Sequence, residues 1–160
     1  MDIKIEVADY ANPLHQKDMT YLLDIYARDP MGGGAPLSAY TQENLANELA
    51  KIANAFSILC YVDHQPAGIA NCFQGFSTFK CKPLVNIHDL AVASQYRGLG
   101  LSQKILFEIE KIARQRGCCK ITLEVLEGNK TAQAAYLKFG FGGYQLNPDM
   151  GKALFWEKPL

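Results

Sequence analysis

The chain has no surplus of either charge: 16 Lys and Arg stand against 16 Asp and Glu in 160 residues. Without a net field, nucleic acid gains no long-range attraction, so no nucleic-acid partner is expected. No apolar run approaches the roughly 20 residues that cross a bilayer, and no membrane partner is expected. No Cys-x-x-Cys pair and no His/Cys cluster at zinc spacing occurs, so no metal is expected. The five cysteines, Cys60, Cys72, Cys81, Cys118 and Cys119, are an odd number without a secreted-type framework. They read mostly as small core side chains in a reducing compartment, which points to the cytoplasm. The opening residues Met1 to Val7 alternate and carry charge, the pattern of a strand and not of a secretory leader. Internal repeats, low-complexity tracts and linkers are also missing. Residues 1–160 therefore read as one domain, long enough to bury a core.

What is present is a mixed α/β (α+β) pattern. Ile3–Val7 alternates as a half-buried strand does. Met19, Leu22, Leu23 and Tyr26 recur at helical spacing from about His15 to Ala27, and Pro30 with Gly32-Gly33-Gly34 ends that helix. Thr41, Asn44 and Leu45 open a second helix reaching about Ala53. Phe56–Val62, a turn over Asp63–Pro66 and Ala67–Gly75 read as a hairpin. A strand over Leu84–Val92, a helix over Leu101–Arg116 and a strand over Lys120–Leu126 follow. A short helix over 131–139 and closing strands over Gly142–Gln145 and Leu154–Lys158 complete the series. The long helix carries a continuous apolar stripe of Leu101, Ile105, Leu106, Ile109, Ile112 and Ala113.

The stretch Asp89-Leu-Ala-Val-Ala-Ser-Gln-Tyr-Arg-Gly-Leu-Gly-Leu-Ser102 is the most informative. A strand ends at Val92 and a glycine-spaced turn feeds the long helix. Unpaired amides and the helix dipole at such a start favour phosphate. Gly98 and Gly100 let a ligand approach the main chain, and Arg97 adds a charged planar donor. A plain turn with glycines only for turning is the competing reading. Two stricter phosphate signatures are lacking. No Gly-Lys-Ser/Thr closes the turn, as a triphosphate loop needs, and it sits too late in the chain for a dinucleotide fingerprint.

Arg97-Gly98-Leu99-Gly100-Leu101-Ser102 resembles the Arg/Gln-x-x-Gly-x-Gly/Ala motif of the GCN5-related N-acetyltransferase (GNAT) superfamily, with Ser102 where Gly or Ala is usual. Asn129-Lys-Thr-Ala-Gln-Ala-Ala-Tyr136-Leu-Lys-Phe-Gly140-Phe141 is similar to that family's Asn-x-x-Ala-x-x-x-Tyr-x-x-x-Gly-Phe segment. The two occur in family order across roughly residues 55–145. The resemblance implies a central mixed, largely antiparallel sheet, splayed between its fourth and fifth strands and flanked by helices. It implies acetyl-CoA as co-substrate, transferred to a primary amine by direct attack. The amides of Arg97, Gly98, Leu99, Gly100, Leu101 and Ser102 would hold the pyrophosphate. The backbone of Leu90, Ala91 and Val92 would pair with the pantetheine arm. Asn129 would bond pantetheine or cap its helix, as Asn commonly does.

Transfer from a thioester to an amine needs a base for the amine, whose free pKa is about 8 to about 10.4, and a donor for the departing sulfur. By the resemblance, Tyr136 is the sulfur-side donor; simple packing over the sheet is its alternative. Glu124, twelve residues earlier, sits where N-terminal amine acetylases of the family carry a glutamate that serves as base. A carboxylate anchoring the splayed strands is the other reading. Asp89 and His88 compete for the same role. Strict alternation sends them to opposite faces, Asp89 with Ile87 and Ala91, His88 with Leu90 and Val92.

The acceptor, a small-molecule or peptide amine, is expected at the first two helices and the loop Asp29–Ser38, whose glycines read as a mobile flap or an ordinary connector. Asp24, Asp29 and Glu43 are candidates to attract it, and Phe73, Phe76 and Phe79 to wall its pocket. A homodimer is the assembly common in the family. A non-catalytic acyl-CoA-binding module would keep Arg97–Ser102 but has no use for Tyr136 and the carboxylates.

Overall fold

The computed structural model describes residues 1–160. Five strands, β1 (Ile3–Val7), β2 (Ala55–Val62), β3 (Gln65–Ser77), β4 (Lys82–Val92) and β5 (Ile121–Leu123), lie in sequence order in one sheet. The first four are antiparallel and β5 runs parallel to β4. Helices α1 (Pro13–Arg28) and α2 (Ala39–Ala50) cover one face, and α3 (Leu101–Gln115) and α4 (Lys130–Phe139) the other. This is the mixed, largely antiparallel sheet expected, and its core is double. Met19, Leu22, Leu49, Leu59 and Ile69 pack on the α1/α2 face. Ile58, Val85, Leu101, Ile105, Leu106 and Ile109 pack on the other.

Local chemistry sets the helix starts earlier than periodicity alone indicates. Asn12 accepts the Leu14 amide and Pro13 occupies the first turn, where it needs no N–H partner. Ser38 accepts the Thr41 amide at 3.1 Å, so α2 begins before Thr41 and ends at Ala50 rather than near Ala53. The hairpin turn contracts to Asp63 and His64, both at positive φ (47° and 65°), as a two-residue turn between right-twisting strands requires.

Two corrections fall at the end of the chain. Residues 142–145 and 154–158 are not strands. A strand needs a ladder partner, and here the backbone bonds within residues 142–158 are two tight-turn bonds, Met150 to Asn147 and Gly151 to Pro148, and one from the Ala153 amide to the Tyr144 carbonyl at 3.4 Å. The expected strand to Leu126 stops at Leu123, because β4 and β5 pair only from Val85↔Ile121 to Ile87↔Leu123. Beyond that point they diverge, and the divergence makes the site. The cysteines divide as well: Cys60 and Cys72 are core residues, Cys118 is half-buried, and Cys81 and Cys119 are exposed. Burial pushes the Cys72 thiol up to about 12, with Asp89 adding to the effect, and the Cys60 thiol up to about 11.

Candidate active site

The opening between β4 and residues 124–126 is fixed from below by Asn86, whose Nδ2 donates to Thr122 Oγ1 at 3.0 Å one rung before the pairing ends at Ile87↔Leu123. Above that rung the gap-side edge of β4, including Leu90, Ala91 and Val92, has no strand partner. Its main chain offers an extended ligand the hydrogen bonds of a missing strand.

At the top of β4 the turn into α3 is built as the glycine spacing indicated. Gly98 (φ 82°) and Gly100 (φ 72°) take left-handed conformations, which glycine adopts without the cost a side chain adds. Gly100 precedes α3 without a side-chain cap, and the amides of residues 98–103 donate to no carbonyl. No atom lies within 4 Å of where a Cβ would stand at either glycine. Open space, uncapped amides and the positive end of a 15-residue helix together fit a diphosphate. Arg97 is engaged elsewhere. Its guanidinium donates to the Val92 carbonyl at 3.3 Å and to Asp29 Oδ2 at 3.2 Å.

A bulge in β4 decides which acidic or basic side chain faces the acceptor side. Asn71 pairs with Asp89 and Cys72 with Ile87, leaving His88 unpaired. The extra residue breaks alternation. Ile87 joins Leu90 and Val92 on the α3 face, while Asp89 lies on the α1/α2 side, where Asn71 Nδ2 donates to its Oδ2 at 3.0 Å. The His88 ring meets Phe73 edge-on at 5.8 Å, and Phe73 packs into the α1/α2 core. The expectation that His88 and Asp89 take opposite faces is therefore overturned, as is the placing of Ile87 with Asp89. Strict alternation holds only in an unbulged strand.

Two phenols approach from opposite faces. Tyr136 of α4 packs against the α3-side core and meets Phe141 edge-on at 5.8 Å. Gln103 Nε2 donates to the Ala135 carbonyl at 2.9 Å and holds α4 against α3 beside it. Tyr26, near the end of α1, sits on the other face; its spacing in the sequence marks it only as part of an apolar stripe. Burial raises the Tyr136 phenol above its ordinary value, and nearby Tyr26 adds to the rise. Tyr26 is itself raised by burial, then by Asp89 and Asp29. Tyr26 is thus coupled electrostatically both to Tyr136 on the other face and to Asp89 on its own. Both phenols are protonated donors at neutral pH.

Glu124 lies just beyond β5 and is exposed, not flanked by buried apolar neighbours. Asn129 caps α4 by accepting the Ala132 amide at 3.1 Å. The loop after α1 is pinned rather than loose. Asp29 accepts the Met31 amide, the Ala35 amide reaches the Ala27 carbonyl, and the Leu37 amide reaches Asp24 Oδ1. A Cβ at Gly32 would stand 2.0 Å from the Tyr26 carbonyl oxygen, so close contact with α1 demands glycine there. The Met31 amide, then Arg97, hold Asp29's carboxyl below the usual carboxylate range; Arg28 does the same for Asp24. Glu43 lines a groove between α1 and α2 instead of the opening. Of the three phenylalanines only Phe73 is packed inside; Phe76 and Phe79 are exposed.

The model of the Acetyltransferase (GNAT) family matches residues 18–141. Glucosamine 6-phosphate N-acetyltransferase of Trypanosoma brucei brucei is 24% identical over 137 residues, 82% of this chain and 88% of that one. Thialysine N-epsilon-acetyltransferase of Bos taurus is 34% identical over 65 residues, 41% of this chain, and the match spans only 38% of the bovine enzyme. Among solved structures, aminoglycoside N-acetyltransferase AAC(6')-Iy in complex with CoA shares the fold at a TM-score of 0.74. The alignment covers 99% of this chain and 96% of that one at 14% identity. No helix is long and apolar enough to cross a membrane. With more than half of its length matched, and with both sequence motifs at the opening of a splayed sheet, the chain belongs to the GNAT acetyltransferase family.

Proposed function

We propose that the protein is an acetyl-CoA-dependent N-acetyltransferase that acylates a primary amine by direct attack. The observation that carries this reading is an uncapped helix start directly following a strand whose gap-side edge is unpaired, with electrostatically coupled Asp89, Tyr26 and Tyr136 on the elements around it. Bound acetyl-CoA supplies the activated acyl group. The amides of Gly98 to Ser102 hold its diphosphate, with Arg97 at the rim once released from Asp29. Leu90, Ala91 and Val92 pair along the pantetheine, and Asn129 orders the chain where α4 begins.

Asp89 receives the proton of the attacking amine. It is the carboxylate that the bulge turns to the acceptor side, next to Tyr26. Tyr136 donates to the sulfur that leaves. Its raised phenol keeps the proton at neutral pH, so the donor is always charged with its proton. Glu124, exposed at the mouth, is the second candidate for the base. Catalysis requires these donors and acceptors; simple storage of an acyl-CoA does not.

The acceptor is a small cationic amine or a peptide amine. Arg28 and Arg97, which border the acceptor loop, are each paired with an aspartate, Asp24 and Asp29. Neither is left over for a phosphate on the acceptor, whereas Asp89 Oδ1 has no protein partner and suits an ammonium. The cytoplasm is the proposed setting, since none of the five cysteines is in a disulfide. A homodimer is the proposed assembly, covering exposed Leu154, Phe155 and Trp156; sedimentation velocity checks it.

Thiol release from acetyl-CoA across an amine panel tests the reading. Asp89→Asn lowers turnover about 1,000-fold, to a residual rate that is still measurable, Glu124→Gln retains most of it, and both variants bind CoA as the parent does in calorimetry. Full activity of Asp89→Asn with loss in Glu124→Gln reverses the assignment of the base. Absence of CoA binding by the parent protein overturns the function as a whole.

A further inference from the structure

One buried polar row remains without a part in this account. On the α1/α2 face, Ser57 of β2 pairs in register with Asn71 of β3, which pairs with Asp89 of β4. Ser57 is 0% and Asn71 3% exposed, among Leu59, Ile69 and Met19. Burying polar side chains in such a layer is costly unless they are hydrogen-bonded, and apolar side chains of the same size would close the sheet as well. All of their bonds lead to one place. Tyr10 Oη lies 2.9 Å from Ser57 Oγ, Ser57 Oγ donates to Asn71 Oδ1 at 2.7 Å, and Asn71 Nδ2 donates to Asp89 Oδ2 at 3.0 Å.

The polarity of the row is forced. An ionised carboxylate only accepts, so Asn71 must present its amide nitrogen to Asp89 and its carbonyl oxygen to Ser57. Ser57 then spends its one proton on Asn71 and must accept from Tyr10. Donation runs one way, from Tyr10 through Ser57 and Asn71 to Asp89. The bulge belongs to the same device. Continued from the hairpin end, the Cys72↔Ile87 register would set His88 opposite Asn71; the inserted residue brings Asp89 into the row instead.

We infer that Asn71, oriented by Ser57 and Tyr10, is a positioning residue that tethers Asp89 Oδ2 and leaves Oδ1 for the acceptor amine. The inference rests on the reading of Asp89 as base. A carboxylate on an untethered χ2 samples many orientations; one oxygen held in a three-strand row leaves the other in a fixed direction. Asn71 touches neither substrate, so its effect passes through Asp89 alone.

The test is a double-mutant comparison with the full-length enzyme, acetyl-CoA and its best amine. Asn71→Leu lowers kcat/KM for the amine about tenfold, a coupling typical of residues in one hydrogen-bonded network, while KM for acetyl-CoA is unchanged. In the Asp89→Asn background the same substitution has no further effect. Tyr10→Phe, which keeps the ring and loses only the terminal donor, gives a smaller loss that also vanishes in that background. It keeps the test decisive if Asn71→Leu does not fold. Equal losses with and without Asp89, or an unchanged kcat/KM in both variants, overturn the inference and leave the base assignment standing. Full activity of Asp89→Asn overturns the base assignment itself.

Discussion

Tyr136 and Gly100 show how single residues divide between chemistry and architecture. The Tyr136 phenol is raised by burial, so across the neutral range it is fully protonated. Tyr136→Phe is expected to lower kcat about 100-fold, the scale of a lost general acid, with KM for acetyl-CoA little changed. Because a raised phenol loses its proton only above its ordinary value of 10.0, the ratio of parent to variant rates stays constant from pH 6 to about pH 9. A ratio that falls within that range assigns the donor role elsewhere. At Gly100 the surrounding space is open, so a methyl group meets no protein atom. Gly100→Ala therefore costs about 1–2 kcal/mol for its left-handed backbone, readable as a modest fall in Tm. CoA binding in calorimetry should fall far more, at least tenfold, because the methyl group enters the space assigned to the diphosphate. Loss of stability without loss of affinity would mark the turn as structural only.

Between elements, the link that matters joins the loop after α1 to the turn before α3. Arg97 holds Asp29 at 3.2 Å, which ties the acceptor loop to the diphosphate turn. An incoming diphosphate competes with Asp29 for the same guanidinium, and Asp29→Asn removes the competitor. CoA is then expected to bind a few-fold more tightly, with the gain shrinking in high salt because the pair is exposed. The sign of the pH effect follows from the depressed carboxyl of Asp29. Its pairing is intact above the ordinary carboxylate range and is lost as pH falls through the lowered folded value. Parent and variant should therefore converge in CoA affinity at acidic pH; weaker binding by Asp29→Asn at neutral pH refutes the competition. These elements also show what the sequence made legible. The glycine turn, the α3 stripe and the Asn129 cap are local patterns, and each appears where spacing placed it. The β4 bulge is set by pairing with a distant strand, so alternation misassigned His88 and Ile87. Tyr26 is not legible as a site residue, because a phenol at helical spacing reads as apolar packing until the gap beside it is known.

At the scale of the molecule, the sheet separates an acceptor half, α1 and α2, from a donor half, α3 and α4, each with its own core. The closing strands expected at 142–145 and 154–158 fail for a reason that composition cannot reveal: β5 offers only three paired residues, and a ladder needs a partner edge in place. Stability must then come from the layers that are complete, above all from α3 on the sheet. Ile105 is wholly buried, and the Cβ position of Gly68 lies 3.0 Å from its Cδ1, so helix and strand are in direct contact there. Ile105→Ala removes this contact and should cost about 2–5 kcal/mol, lowering Tm by several degrees. Acetyl-CoA at about 100 times its Kd returns about 2.7 kcal/mol to any variant whose folded state still binds it. Saturating cofactor should therefore raise the Tm of Ile105→Ala and of the parent by a similar amount, since the uncapped start of α3 lies a full turn away from Ile105. Thermal denaturation with and without cofactor reads both effects. A cofactor-induced shift that disappears in Ile105→Ala would mean that the donor half is assembled only when α3 is fully packed, and that the diphosphate turn owes its shape to the core beneath it rather than to its own glycines.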